Sequence, residues 1–150
     1  MATPARPPVP AAARWLGGAG LIPFAALALA GPFVDVAARP GVAFALAAYG
    51  ATILSFLGGI RWGLAISSAV SGAALARPLV VSVIPSLVAW VALLLPSASS
   101  LALLALGLAG QLFADIAASR AGETPAWYAA LRWPLSCGAA LALLAGALWR

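Results

Sequence analysis

The sequence predicts an all-α protein, a polytopic integral membrane helical bundle of about five transmembrane helices with the N-terminus inside and the C-terminus outside. Three observations carry this. Of the 150 residues, 65% are hydrophobic and only 7% charged, against about 25% charged in soluble domains. The charges stand singly between uncharged runs long enough, at about 1.5 Å per residue, to cross a hydrocarbon core of roughly 30 Å. With the N-terminus inside, Arg6, Arg14, Arg61, Arg77, Arg120 and Arg132 all fall on the cytoplasmic side, leaving Arg39 and Arg150 outside, as the positive-inside rule prefers.

Residues 1–13 carry four prolines and are expected to form a disordered tail, because proline removes helix donors and clashes with the preceding turn. Residues 14–150 make a single transmembrane domain. The first span, 15–34, lies between Arg14 and Asp35. Pro23 should kink it and strip the Ala19 carbonyl of its backbone donor. Arg6 and Arg14 ahead of an apolar run that reaches Ala28-Leu29-Ala30 also fit a cleaved signal peptide. The run continues through Phe33 and Val34, however, so a retained span is expected. The second span, 42–67, follows a short loop with Arg39 and Pro40. In the third, 79–95, Pro78 suits the first turn. Ser82 and Ser86 flank Pro85, and such hydroxyls take up backbone groups that a proline frees. The fourth span is 101–118 and the fifth 127–149, with no loop long enough for a soluble domain.

Histidine is absent and Cys137 is the only cysteine. Histidine haem ligation, Cys/His zinc clusters, a histidine-dependent triad and an intramolecular disulfide are therefore excluded, and no metal or cofactor is expected. The eight arginines are scattered and do not form a patch, so nucleic acid is not an expected partner. Lysine is absent while Ala, Gly, Pro and Arg abound, a bias of GC-rich coding, and a bacterial inner (cytoplasmic) membrane is the expected location.

Polar groups inside the spans are few enough to place. Arg61 lies about 28 Å along the second span and Asp115 about 24 Å along the fourth, so both end near the inner interface. Tyr128 and Arg132 begin the fifth span at that level. Gln111, Asp115 and Ser119 share one helix face, and Tyr128, Arg132 and Ser136 share another. The candidate binding cluster is thus Arg61, Gln111, Asp115, Tyr128 and Arg132, suited to a substrate, ion or lipid headgroup, because a carboxylate within a span is a functional hypothesis by default. The plainer reading makes the arginines, with Trp15, Trp62, Trp127 and Trp133, interfacial anchors, and a buried Arg–Asp pair structural glue. Direct contact between Arg61 and Asp115 is expected. Two strips of small residues should pack helices closely: Ser55, Gly59 and Gly63, continued by Ser67 and Ser71, and Gly138, Ala142 and Gly146. Arg61, two positions from Gly59, faces away from the first strip.

Several strings here resemble a known family. Gly20-Leu-Ile-Pro-Phe24, Tyr49-Gly-Ala-Thr-Ile-Leu-Ser-Phe-Leu-Gly-Gly-Ile-Arg-Trp-Gly63, Ser82-Val-Ile-Pro85 with Trp90, Asp115, and Pro125-Ala-Trp-Tyr-Ala-Ala-Leu-Arg132 are similar to domain-of-unknown-function family 3429. That family also includes the eukaryotic transmembrane protein 69. The resemblance runs from about Arg14 to the C-terminus, and Phe56-Leu-Gly-Gly-Ile-Arg-Trp-Gly63 is its most specific piece. It implies a small polytopic inner-membrane protein, with no activity and no catalytic residues to carry over.

The expected function is that of a non-enzymatic accessory or assembly subunit acting through helix–helix association. The alternative is a small carrier or channel for a proton or an anionic solute, with Arg61 and Arg132 facing the anion and Asp115 titrating. Expected partners are the lipid bilayer and other membrane subunits or further copies of the chain.

Overall fold

A computed structural model describes residues 7–148. Its described residues form α1 (Ala11–Ala19), α2 (Ile22–Ala30), α3 (Arg39–Ser67), α4 (Ala73–Leu93), α5 (Ser97–Arg120) and α6 (Tyr128–Ala147), with short 3₁₀ turns at Gly31–Phe33 and Val36–Ala38 and no strand. α1, α2 and the first 3₁₀ turn together make one membrane-length unit, and α3 to α6 make four more, so five are long and apolar enough to cross a bilayer. Of the expected proline-rich tail, residues 1–6 lie outside the described residues, and Ala11 to Ala13 already belong to α1.

The helix boundaries follow local chemistry. Between α1 and α2 the chain tightens at Gly20-Leu21, where the Leu21 N–H reaches the Gly18 carbonyl at 3.0 Å, because Pro23 cannot donate into the previous turn. The sequence points to Ala19 as the carbonyl left over, yet the carbonyl that a side chain takes up is that of Gly20. The Tyr49 hydroxyl of α3 donates to it at 3.0 Å, and the Tyr49 ring meets Phe24 edge-on, centroids 4.9 Å apart. One residue thus ties the interrupted first span to α3.

α4 begins at Ala73, six residues before the expected start, so Pro78 lies inside it and not in its first turn. Gly72 precedes it at φ 62°, a left-handed conformation that glycine adopts without a Cβ penalty. The helix runs on through Pro85, and the Ser82 hydroxyl donates to the Leu79 carbonyl at 2.6 Å. α5 extends past the expected residue 118 to Arg120 and closes with Gly122 at φ 76°. There the Glu123 N–H reaches the Ala118 carbonyl and the Gly122 N–H the Ser119 carbonyl, a left-handed glycine cap that satisfies the last carbonyls.

The core is a line of leucines and alanines: Leu46 and Leu54 of α3, Ala89 and Ala92 of α4, Leu101, Leu104 and Leu108 of α5, and Leu143 of α6. The outside is equally apolar, with Phe33 88% and Trp90 62% exposed, as expected where lipid replaces water as the neighbour. The closest helix approaches are set by glycines. A Cβ on Gly58 would stand 2.6 Å from the Ser82 carbonyl oxygen of α4, and one on Gly107 2.7 Å from Leu54.

The glycines of the first packing strip pack against nothing in this chain. Within the chain, Gly59 and Gly63 are exposed and a Cβ on either would meet nothing within 4 Å; Ser55 is half-buried, and Ser71 falls beyond the end of α3. The buried line of α3 runs instead through Leu46, Gly50, Leu54, Leu57 and Gly58. Burying leucines decides which face turns inward, and the small strip beside them is carried outward. The second strip faces inward: Gly146 is buried, Ala142 is half-buried, and a Cβ on Gly138 would lie 3.2 Å from Leu21 of α2.

Candidate functional site

Asp115 sits on the face of α5 that looks between α3 and α6, and it is 1% exposed. Three donors converge on it. Its Oδ2 accepts from Arg132 Nε at 2.9 Å, and its Oδ1 accepts from Gln111 Nε2, one turn earlier on α5, at 2.9 Å. Arg61 Nη1 of α3 approaches Oδ1 to 3.7 Å and donates to the Ala114 carbonyl at 3.2 Å. Arg132 also donates through Nη2 to Ser136, one turn on along α6, at 2.8 Å.

The structure therefore brings Arg61, Gln111, Asp115 and Arg132 together, with Ser136 added. The sequence argument singled out Arg61 as the partner of Asp115. The shorter bond goes to Arg132, which is buried, while the Arg61 side chain keeps 19% of its surface. Tyr128 is buried beside the same groups, in the field of Asp115, Arg132 and Arg61. Its hydroxyl stands against Asp115 without a hydrogen bond of ordinary geometry. Ser119 is not part of the cluster, since its hydroxyl pairs with Thr124 in the loop after α5 at 2.7 Å.

Each member is placed by helix period. Gln111 and Asp115 are one turn apart, as are Arg132 and Ser136, so each helix presents two groups on one face. Arg61 lies two positions beyond Gly59 and faces inward where Gly59 faces outward. Two guanidiniums against one carboxylate leave a formal charge of +1 in the cluster, among groups with little access to water.

Beside the cluster lies a cavity of about 380 Å³ between the α1–α2 segment, α3 and α6, with Tyr128, Arg132 and Ser136 among its walls. Sequence reasoning did not reach this cavity. Its one available signal was the Pro23 break, which sets α1 and α2 apart from a continuous helix and shapes one wall. The role of Tyr49 was likewise readable only as a phenol inside a span that needs a partner.

Fold and cluster together define a polytopic α-helical membrane protein whose ion-paired centre joins three of its spans. The chain belongs to the family described as protein of unknown function DUF3429, which matches residues 9–148. It is also 41% identical, over 141 residues, to "Transmembrane protein 69" of Xenopus tropicalis, covering 90% of this chain and 53% of that relative. The chain thus spans about half the length of the relative. No solved structure matches.

Proposed function

We propose that this chain is a non-enzymatic subunit of the bacterial inner membrane, lying N-in and C-out, that works by holding a helix of another membrane protein against the outer face of α3. The observation behind this reading is the contrast between adjacent glycines: Gly58 is filled by α4, whereas Gly59 and Gly63 have open space above them. Small residues let helix backbones approach closely in lipid, where packing replaces the hydrophobic effect as the driving force. Exposed Phe56 and Ile66 border the strip and would grip the incoming helix. On this reading the Arg61, Asp115 and Arg132 cluster ties α3, α5 and α6 into a rigid platform, and the excess of arginine at its end of the bundle sets the orientation.

A second reading, a carrier for a proton or an anionic solute, rests on Arg132 and Tyr128 lining the cavity. It asks Asp115 to release donors that now hold it at 2.9 Å.

The test is purification in mild detergent from the native membrane, wild type beside Gly63→Leu. Other membrane polypeptides should accompany the wild type and be lost from the variant, whose own melting temperature stays unchanged. A wild type that returns only itself, with the same oligomer size in both, removes the subunit reading.

A further inference from the structure

The cavity beside the cluster has two unlike ends. Along α6 its lining runs from Tyr128 and Arg132 to Ala139, about 16 Å at 1.5 Å per residue. Arg132 and Tyr128 make the first end polar, while Phe24 of α2 and Ala139 make the other apolar. The wall also includes Leu16 and Phe56, which are 75% and 63% exposed. The cavity therefore opens sideways, toward lipid. A volume of about 380 Å³ falls in the roughly 300–1,000 Å³ range of small-molecule sites.

The polar end has a charge to balance and a donor to place. Arg132 lines this end, and Arg61, outside the lining, acts on Tyr128 from beyond Asp115, so two guanidiniums outnumber one carboxylate here, and an uncompensated charge in a low-dielectric site is costly. Tyr128 is 8% exposed, and its buried hydroxyl, though it stands close to Asp115, makes no hydrogen bond of ordinary geometry. An oxyanion at this end would accept from that hydroxyl and lie against the Arg132 guanidinium. We infer that the cavity binds a single-chain amphiphile with an anionic headgroup, carboxylate or phosphate. Its head lies at Tyr128 and Arg132, and its chain points toward Phe24 and Ala139. The ligand reaches the site from the bilayer, through the gap between α1 and α3. The mouth shares Phe56 with the edge of the outer strip of α3, but labelling and co-purification read the two sites separately, so either can fail without the other.

The experiment uses the full chain in phosphatidylcholine nanodiscs, exposed to diazirine-bearing palmitic acid or to hexadecanol with the same diazirine. Labelling of the Tyr128–Ala139 segment should saturate and favour the acid by roughly tenfold, the value of one charge-assisted hydrogen bond. Competition by unlabelled hexadecyl phosphate alone assigns a phosphate head, and by palmitate alone a carboxylate. Leu131→Trp, which fills the cavity without touching the ion pairs, should abolish the labelling and preserve the melting temperature. Equal labelling by acid and alcohol, labelling that never saturates, or failure of both competitors overturns the inference. If Leu131→Trp does not fold, the acid-to-alcohol ratio in the wild type still decides.

Discussion

The two sides of α3 are built from the same small residues and do opposite things. Toward α4, Gly58 lets the backbones close until no side chain fits between them; toward the outside, Gly59 and Gly63 meet nothing in their own chain. A similar contrast separates the two halves of the bundle. The α3–α4–α5 side packs Leu54, Ala89 and Leu104 into the core, whereas the α1–α2 side leaves a cavity of about 380 Å³ against α6. In a membrane a glycine gains its meaning from its neighbour, because lipid fills the same space about as well as a leucine does. The polar cluster lies where these halves meet, and its loss should have the largest effect.

Asp115→Asn is that change. It leaves a buried guanidinium, Arg132, and a half-buried one, Arg61, facing a neutral amide, and breaking one side of a buried ion pair typically costs about 3–5 kcal/mol. The detergent melting temperature should fall steeply, and the expressed yield with it. Adding Arg132→Gln to Asp115→Asn should recover part of the loss, since the second change removes the cation that the first one strands. A double-mutant cycle gives the coupling; additive losses would mean that the groups act separately.

Gly58→Leu comes next. Its Cβ would lie 2.6 Å from a backbone oxygen of α4, and backbone cannot turn aside as a side-chain tip does. Overpacking of this kind costs about 1–3 kcal/mol, read as a lower melting midpoint, with Gly58→Ala intermediate. Unchanged melting in both variants would place the α3–α4 contact elsewhere.

How much of this was legible beforehand divides along the same line. Span number and approximate limits follow from uncharged run length, which depends on each residue alone. The cluster followed from depth, because Arg61 and Asp115 lie near the ends of two spans that run the same way and Arg132 near the start of one that runs back, so all three fall at one level. What depth leaves open is azimuth: it brought Arg61 and Arg132 to the same level, but only the packed rotation of α6 gives Arg132 the 2.9 Å bond. Azimuth also decided the glycines. A four-residue repeat marks a strip on α3 without saying whether leucines one position away will claim the interior, and here Leu46, Leu54 and Leu57 did. The Pro23 break was visible as a break, but the uptake of the Gly20 carbonyl by the Tyr49 hydroxyl, 29 residues away, was a tertiary event.

Tyr49→Phe tests that contact. It keeps the ring beside Phe24 and removes one hydrogen bond to Gly20, so the expected loss is about 1 kcal/mol. Amide exchange at Gly20 to Phe24 should accelerate while the core of α5 stays protected. Uniform acceleration would mean that Tyr49 stabilises the whole bundle and not the break alone.

The smallest effect on stability, and the sharpest form of the comparison, belongs to Gly59→Leu. Its position differs from Gly58 by a single residue, about 100° around the helix. A leucine there meets open space, and exchanging glycine for leucine within a helix should itself stabilise by roughly 0.5–1 kcal/mol through lost backbone freedom in the unfolded state. Melting of the isolated chain should therefore hold or rise slightly, where Gly58→Leu falls. Association should move the other way, since a leucine on the outer strip keeps a neighbouring backbone from closing. Parallel melts and native gels of the two variants separate the roles: Gly58→Leu should lose the fold first, and Gly59→Leu should keep the fold and lose the complex. If Gly59→Leu also melts early, the outer face of α3 packs within the chain and no partner helix is needed to explain its glycines.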